Sequence, residues 1–255
     1  MGKNHASQYA NFGSLPIYQL FILFVLILPM KMLAGERIVI LGSSTAEGAG
    51  VKVPENSWAC RYAQYLKSVD KGYEIINLAK GGYTTFAIMP LGTPAYDTGT
   101  HVLAVDSLRN IDKALSYSPD IIIINMPTND VSNGIPLSVQ LSNFRTIIDK
   151  ARSKNVKVWI TTSQPHNFGE KYTPPYTESH RPDASKQKFR NQFKLLSDEI
   201  LKQYGDYAID FYTGLVSEDS CGFIKPIYDS GDGVHLNDEA HAVLFERVKN
   251  KIGLD

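Results

Sequence analysis

The 255-residue chain is 43% hydrophobic and 20% charged, long enough for one sizeable core and short for two ordinary domains. Its 26 Lys and Arg residues balance 26 Asp and Glu residues, so no net field draws it to nucleic acid or to an anionic membrane surface, and no nucleic-acid partner is expected.

At the N-terminus, residues 15–30 (LPIYQLFILFVLILPM) are almost wholly apolar and are followed by the small residues Ala34 and Gly35. Residues 1–35 read as a secretory signal peptide, or as an uncleaved membrane anchor, because the flank with Lys3 and His5 is only weakly basic. The protein is therefore expected to be exported to the periplasm, the cell envelope or the medium, with one domain over residues 36–255. In the anchored case residues 15–30 are the membrane tether.

Short β-branched runs then alternate with segments of helical periodicity. RIVIL (37–41), YEIINLA (73–79), DIIIIN (120–125), VKVWITT (156–162) and YAIDF (207–211) are predicted strands. The unbroken run Ile121 to Ile124 predicts a strand covered on both faces, as in a parallel sheet. Helices are predicted over 56–69, 105–118, 137–154, 185–204 and 238–252, the last capped by Asn237 with two acids in its first turn. The alternation implies right-handed crossovers and a doubly wound α/β sheet of five strands. In such sheets ligands sit beyond the carboxyl ends of the strands, so chemistry is sought in the loops that follow them.

Two of those loops are long, 86–101 and 163–183. Tyr83, Phe86, Tyr96, Phe168, Tyr172 and Tyr176 suit an acyl pocket or a sugar pocket equally well. His101, His166 and His180 are expected to be solvated there, and His241 to be a surface or packing residue of the last helix.

A serine hydroxyl becomes a nucleophile only when a base takes its proton, and its tetrahedral adduct needs donors aimed at the oxyanion. The post-strand loops supply each part. Gly42-Ser43-Ser44 follows the first strand, and the second ends in NLAKGGYTT, where Gly81 and Gly82 allow close backbone approach and leave an N–H to donate. NMPTNDV follows the third, with the amide of Asn129 and the carboxyl of Asp130. DSGDGVHLND precedes the last helix and holds Asp232 three residues before His235, a spacing at which a turn lets the carboxylate bond one ring nitrogen.

ILGSSTAEGAG, NLAKGGYTT, PTND and DGVH, in this order, resemble the four signature blocks of the SGNH hydrolases, also called GDSL esterases and lipases, over about Ile38 to Val248. The resemblance implies a flavodoxin-like three-layer α/β/α sandwich. It implies Ser44 as nucleophile, Asp232 and His235 as the other triad members, and an oxyanion hole of the Ser44 N–H, the Gly82 N–H and the Asn129 side-chain amide. Ser43 stands where the family usually has Asp, Pro127 where it usually has Gly, and Ala79 where a glycine is common.

The activity so implied is an exported serine esterase acting on small or short-chain acyl esters, acetylated carbohydrate among them. The same residues also allow a carbohydrate- or lipid-binding module without turnover, or an acyltransferase. No cofactor is expected, since GSSTAEGAG has neither the lysine of a P-loop nor dinucleotide spacing. No metal is expected either, since Asp229, Asp232, His235, Asp238 and His241 fit no zinc or EF-hand spacing. Cys60 and Cys221 are too far apart in sequence for a metal or redox motif, and their spacing leaves pairing open.

Overall fold

The first predicted strand folds as β1 (Arg37–Gly42), whose last five residues are all buried. The computed structural model describes residues 35–70, 72–126, 128–174, 176 and 181–252, with Gly2; the expected leader, Pro127 and His180 lie outside these residues. Of two compact units, Met1–Ala34 and Gly35–Asp255, the second holds every described strand and helix.

After β1 come α1 (Ser44–Glu47), α2 (Trp58–Val69), β2 (Glu74–Asn77), the short strands β3 (Tyr96–Asp97) and β4 (Val102–Leu103), and α3 (Ile111–Ser116). Then follow β5 (Ile121–Asn125), α4 (Asn129–Ser132), α5 (Leu137–Arg152), β6 (Lys157–Thr161), α6 (Ala184–Tyr204), β7 (Ala208–Ile209) and α7 (Asp238–Lys251). The sheet order is β2-β1-β5-β6-β7, and every neighbouring pair is parallel. Counting only its own strands, that order is 2-1-3-4-5, the flavodoxin-like winding. β3, inside the 86–101 loop, pairs antiparallel with β4 just beyond its end, a separate hairpin in a stretch that shows no strand signal in the sequence.

The isoleucine-rich strands split their side chains by parity, as a pleated strand must. Val39, Leu41, Ile122 and Ile124 meet Phe144 and Ile147 of α5 and Leu196 and Ile200 of α6. Ile38, Ile40, Ile121 and Ile123 face the other way, against Trp58, Tyr62 and Leu66 of α2 and Leu244 and Val248 of α7. Each buried isoleucine contributes about 1.5–3 kcal/mol of transfer free energy, so both faces are driven to close and the three-layer sandwich follows.

Three elements are shorter than expected, each where a polar side chain captures the backbone. Asn77 Oδ1 accepts from the Ala79 N–H at 3.0 Å, turning the chain at the end of β2. In α3, Asn110 caps at Lys113, and Asp106 accepts from the Leu108 N–H, so residues 106–110 form a turn instead of the first helical turns. β7 stops at Ile209 because Asp210 Oδ1 accepts from the N–H groups of Tyr212 and Thr213. The expected cap of α7 is present, Asn237 accepting from the Ala240 N–H at 3.1 Å.

Candidate active site

The winding reverses direction between β1 and β5, and their carboxyl ends lie level, with Gly42 paired to Asn125. The Ser43 N–H donates to the Asn125 carbonyl at 3.1 Å, which fixes the chain as it leaves the sheet. α1 begins at the next residue. It is a single turn, closed by Gly48 and Ala49, whose N–H groups both donate to the Ser44 carbonyl. As the first helical residue, Ser44 has no intrahelical acceptor for its own N–H.

The two adjacent hydroxyls differ in setting. Ser43 is sealed at 0% exposure with its Oγ lacking any hydrogen-bond partner, whereas Ser44 retains 8% exposure at the rim. Among the described residues Ser44 Oγ has no hydrogen-bond partner and is not bonded to His235.

Beyond β2, Lys80 to Tyr83 form a turn closed by the Tyr83 N–H on the Lys80 carbonyl. Gly82 sits at its third position with φ +82°, a left-handed conformation that favours glycine. The Gly81 N–H donates to Glu47 Oε2 at 2.7 Å, while the Gly82 N–H has no acceptor among the described residues. A Cβ placed on Gly81 would lie 3.8 Å from Ser44 Cβ, so this turn borders the serine.

Asn129 opens α4, and its Nδ2 donates to the Tyr83 carbonyl at 2.8 Å, leaving the second amide hydrogen available. Asp130 ties down the chain just after that turn, accepting from the Thr85 N–H and from Thr85 Oγ1 at 2.5 Å, and Thr85 Oγ1 in turn accepts from Asn143. Burial pushes the Asp130 carboxyl up to about 6, against the Thr85 hydrogen bonds that lower it.

Asp232 Oδ2 lies 2.6 Å from His235 Nδ1. Asp232 Oδ1 accepts from the N–H groups of Val234 and His235, both at 2.8 Å, and from Ser230 Oγ at 3.1 Å. Burial acts to raise the Asp232 pKa, but the His235 and Val234 hydrogen bonds outweigh it and hold the carboxylate at about 2. An ionised Asp232 fixes the tautomer with Nδ1–H, and His235 Nε2 is left without a partner among the described residues.

Two connections bring this pair toward Ser44. Gly50, at φ +94°, runs against the base loop so closely that a Cβ there would lie 2.8 Å from His235 Cβ and 2.2 Å from the Leu236 carbonyl oxygen. On the other side Gln164 bonds both Thr45, at 2.6 Å, and the Val234 carbonyl, at 2.8 Å. Asn167 adds its N–H to the Gly233 carbonyl, its Nδ2 to Asp229 and its Oδ1 to the Ile224 N–H. Gln164, Asn167 and Glu47 are absent from the sequence reading. The loop after β6 is flagged there by its length and place, but nothing in the residue types singles out these amides.

His166 corrects an expectation. It is buried, with Nδ1 accepting from the Phe168 N–H at 2.8 Å and its ring 4.3 Å from that of Phe168. Burial, then the neighbouring His235, lowers its pKa to about 4. Phe168 packs inward on Phe193, while Phe86 stacks on Tyr96 and Tyr176 on Phe223. His241 is likewise buried, between the Trp58 N–H and the Ala49 carbonyl. Cys60 and Cys221 are free thiols. Among the described residues no group of three or more His, Cys, Asp or Glu is arranged to hold a metal ion. A cavity of about 520 Å³ opens beside Asp232, lined by Asn167, Glu170, Tyr172, Ile224 and Asp229 among others.

Comparison with known proteins gives the same architecture. The family model described as GDSL-like Lipase/Acylhydrolase matches residues 40–243. No curated protein sequence matches the chain significantly. Among solved structures, a putative acylhydrolase from Bacteroides fragilis is 19% identical with TM-score 0.55, covering 92% of this chain and 94% of its own. The psychrotrophic esterase EstA from Pseudoalteromonas sp., solved with monoethylphosphonate as inhibitor, is 17% identical with TM-score 0.53 and coverages of 86% and 97%. An acetylxylan esterase from Geobacillus stearothermophilus, solved as a catalytic mutant, is 15% identical with TM-score 0.55 and coverages of 89% and 98%. Likeness at these identities speaks for the fold.

Proposed function

This chain belongs to the GDSL-like lipase/acylhydrolase family, and from that premise we propose that it is an exported serine esterase acting on small acyl esters, acetylated carbohydrate foremost. The observation that carries the reading is the Asp232–His235 pair, 2.6 Å apart, with Nε2 unoccupied and the loop seated against Gly50 just beyond the Ser44 turn.

Ser44 Oγ attacks the ester carbonyl as His235 Nε2 takes its proton, and Asp232 stabilises the resulting imidazolium. The Ser44 N–H, the Gly82 N–H and the second Asn129 amide hydrogen receive the oxyanion. The protonated His235 then returns its proton to the leaving alcohol, and water activated by the same imidazole releases the acyl group and Ser44. The cavity beside Asp232 takes the sugar portion, with Tyr172 offering a stacking face. Support for the substrate class comes from the acetylxylan esterase that shares the fold. Support for export comes from the apolar stretch 15–30.

Hydrolysis of p-nitrophenyl acetate tests the reaction. Ser44→Ala is expected to lower kcat by about 10³-fold or more, and Asn129→Ala by about 10²-fold. Asp232, held at about 2, stays ionised throughout the assay range. A second reading, a binding module without turnover, is favoured by the missing Ser44–His235 hydrogen bond. Covalent labelling of Ser44 by a fluorophosphonate eliminates it.

A further inference from the structure

Gln164 lies three residues beyond β6 and is 1% exposed. Its two amide ends are spent on two different loops. Val234 presents a carbonyl, which only accepts, so the Gln164 NH2 must face it. That leaves Oε1 toward Thr45 and makes the Thr45 hydroxyl the donor. Thr45 is the residue after Ser44, and Val234 is the residue before His235. One side chain therefore ties the backbone neighbour of the nucleophile to the backbone neighbour of the base, spanning 119 residues in one direction and 70 in the other.

We propose that Gln164 is a positioning residue that sets the separation and angle between Ser44 and His235; this rests on the esterase reading above. The chemistry of the linkage is demanding. A glutamate in its place would turn a carboxylate oxygen toward the Val234 carbonyl, which cannot donate. A methionine fills the space but makes neither bond, and an asparagine is one methylene too short to reach both. Gly50 holds the base loop from the opposite side by direct contact, so loss of the amide leaves the loop in place but free to shift on its Gln164 side. A displacement of about 1 Å at the reacting atoms costs on the order of 10²-fold in rate. p-Nitrophenyl acetate has no sugar portion to seat in the cavity beside Asp232, so with this substrate the loss is expected in kcat and not in KM.

The test is a double-mutant cycle of Gln164→Met and Thr45→Val in the full chain. Three quantities are read: kcat and KM for p-nitrophenyl acetate, the rate of fluorophosphonate labelling at Ser44, and Tm. Each single variant is expected to lower kcat and the labelling rate together by about 10-fold or more, with KM within about 3-fold of wild type. The double variant is expected to be no slower than the slower single, because both changes cut one linkage. Thr45→Val keeps the Val234 bond, so it remains informative if Gln164→Met fails to fold.

Wild-type kcat and labelling in a folded variant would overturn the proposal while leaving the esterase reading intact. So would losses that multiply in the double variant. Absence of Ser44 labelling in the wild type is a different signature, and it would remove the esterase reading and this inference together.

Discussion

At the scale of single residues, the groups proposed to do the chemistry are legible in the sequence, while those that hold them are not. Ser44, Gly82, Asn129, Asp232 and His235 stand out because each follows a predicted strand or precedes the last helix and carries a group with a known use. Gln164 and Glu47 carry ordinary side chains, and their importance comes from partners that folding brings near, the Val234 carbonyl and the Gly81 N–H. His166 is buried where the sequence suggests solvent for a related reason: a histidine in a polar, proline-rich loop gives no sign that the loop folds inward onto Phe193. Ser43 provides a sharp test at this scale. Its hydroxyl is buried without a partner, at a cost of about 1–3 kcal/mol in desolvation. Ser43→Ala is therefore expected to raise Tm by about 2–4 °C per kcal/mol recovered and to keep most esterase activity. A clear fall in Tm, measured by calorimetry, would show that the hydroxyl has a bonding role.

Among the secondary-structure elements, the β3–β4 hairpin and the one-turn helices α1 and α4 left no periodic signal, whereas the five strands of the main sheet and the five other helices were legible in kind and order, because isoleucine runs and amphipathic periods survive any choice of tertiary partner. Their ends were not, since Asn77, Asp106, Asn110 and Asp210 compete for the backbone through short-range bonds that periodicity ignores. Where the first turns of α2 and α7 meet lies a titratable group, His241, whose Nδ1 accepts from the Trp58 N–H at 3.1 Å. Burial lowers its pKa from 6.5 to about 4, as it does for His166. The folded state thus binds these protons more weakly than the unfolded chain. Their stabilising contribution is complete above pH 6.5 and drains away as the pH falls toward 4. Asp130, raised from 3.8 to about 6, runs the other way, since its folded form holds the proton more tightly and loses that advantage as the pH rises through 6. With two groups against one, Tm is expected to fall from pH 7 to pH 5. His241→Gln, whose amide can accept from Trp58 and donate to Ala49, leaves one group against one and is expected to remove most of that slope. An unchanged slope in the variant, followed by thermal denaturation at each pH, would assign the effect elsewhere.

At the scale of the molecule, the winding was readable from the alternation of strands and helices, and the strand order supplies what alternation alone leaves open. Among the described residues, the members of both core clusters lie in the unit Gly35–Asp255, which also holds every described strand and helix. A chain produced from Gly35 onward is therefore expected to unfold in one cooperative step at the Tm of the full chain and to keep its kcat. A large drop in either, measured on the two purified proteins side by side, would mean that the first 34 residues take part in the fold.

Because the hydroxyl is written near the start of the chain and the imidazole near its end, a polypeptide emerging from the ribosome carries a harmless serine for almost its entire synthesis. On the proposed mechanism hydrolysis waits for the final loop to close against Gly50, so the cell that makes the protein would not be exposed to a half-built enzyme.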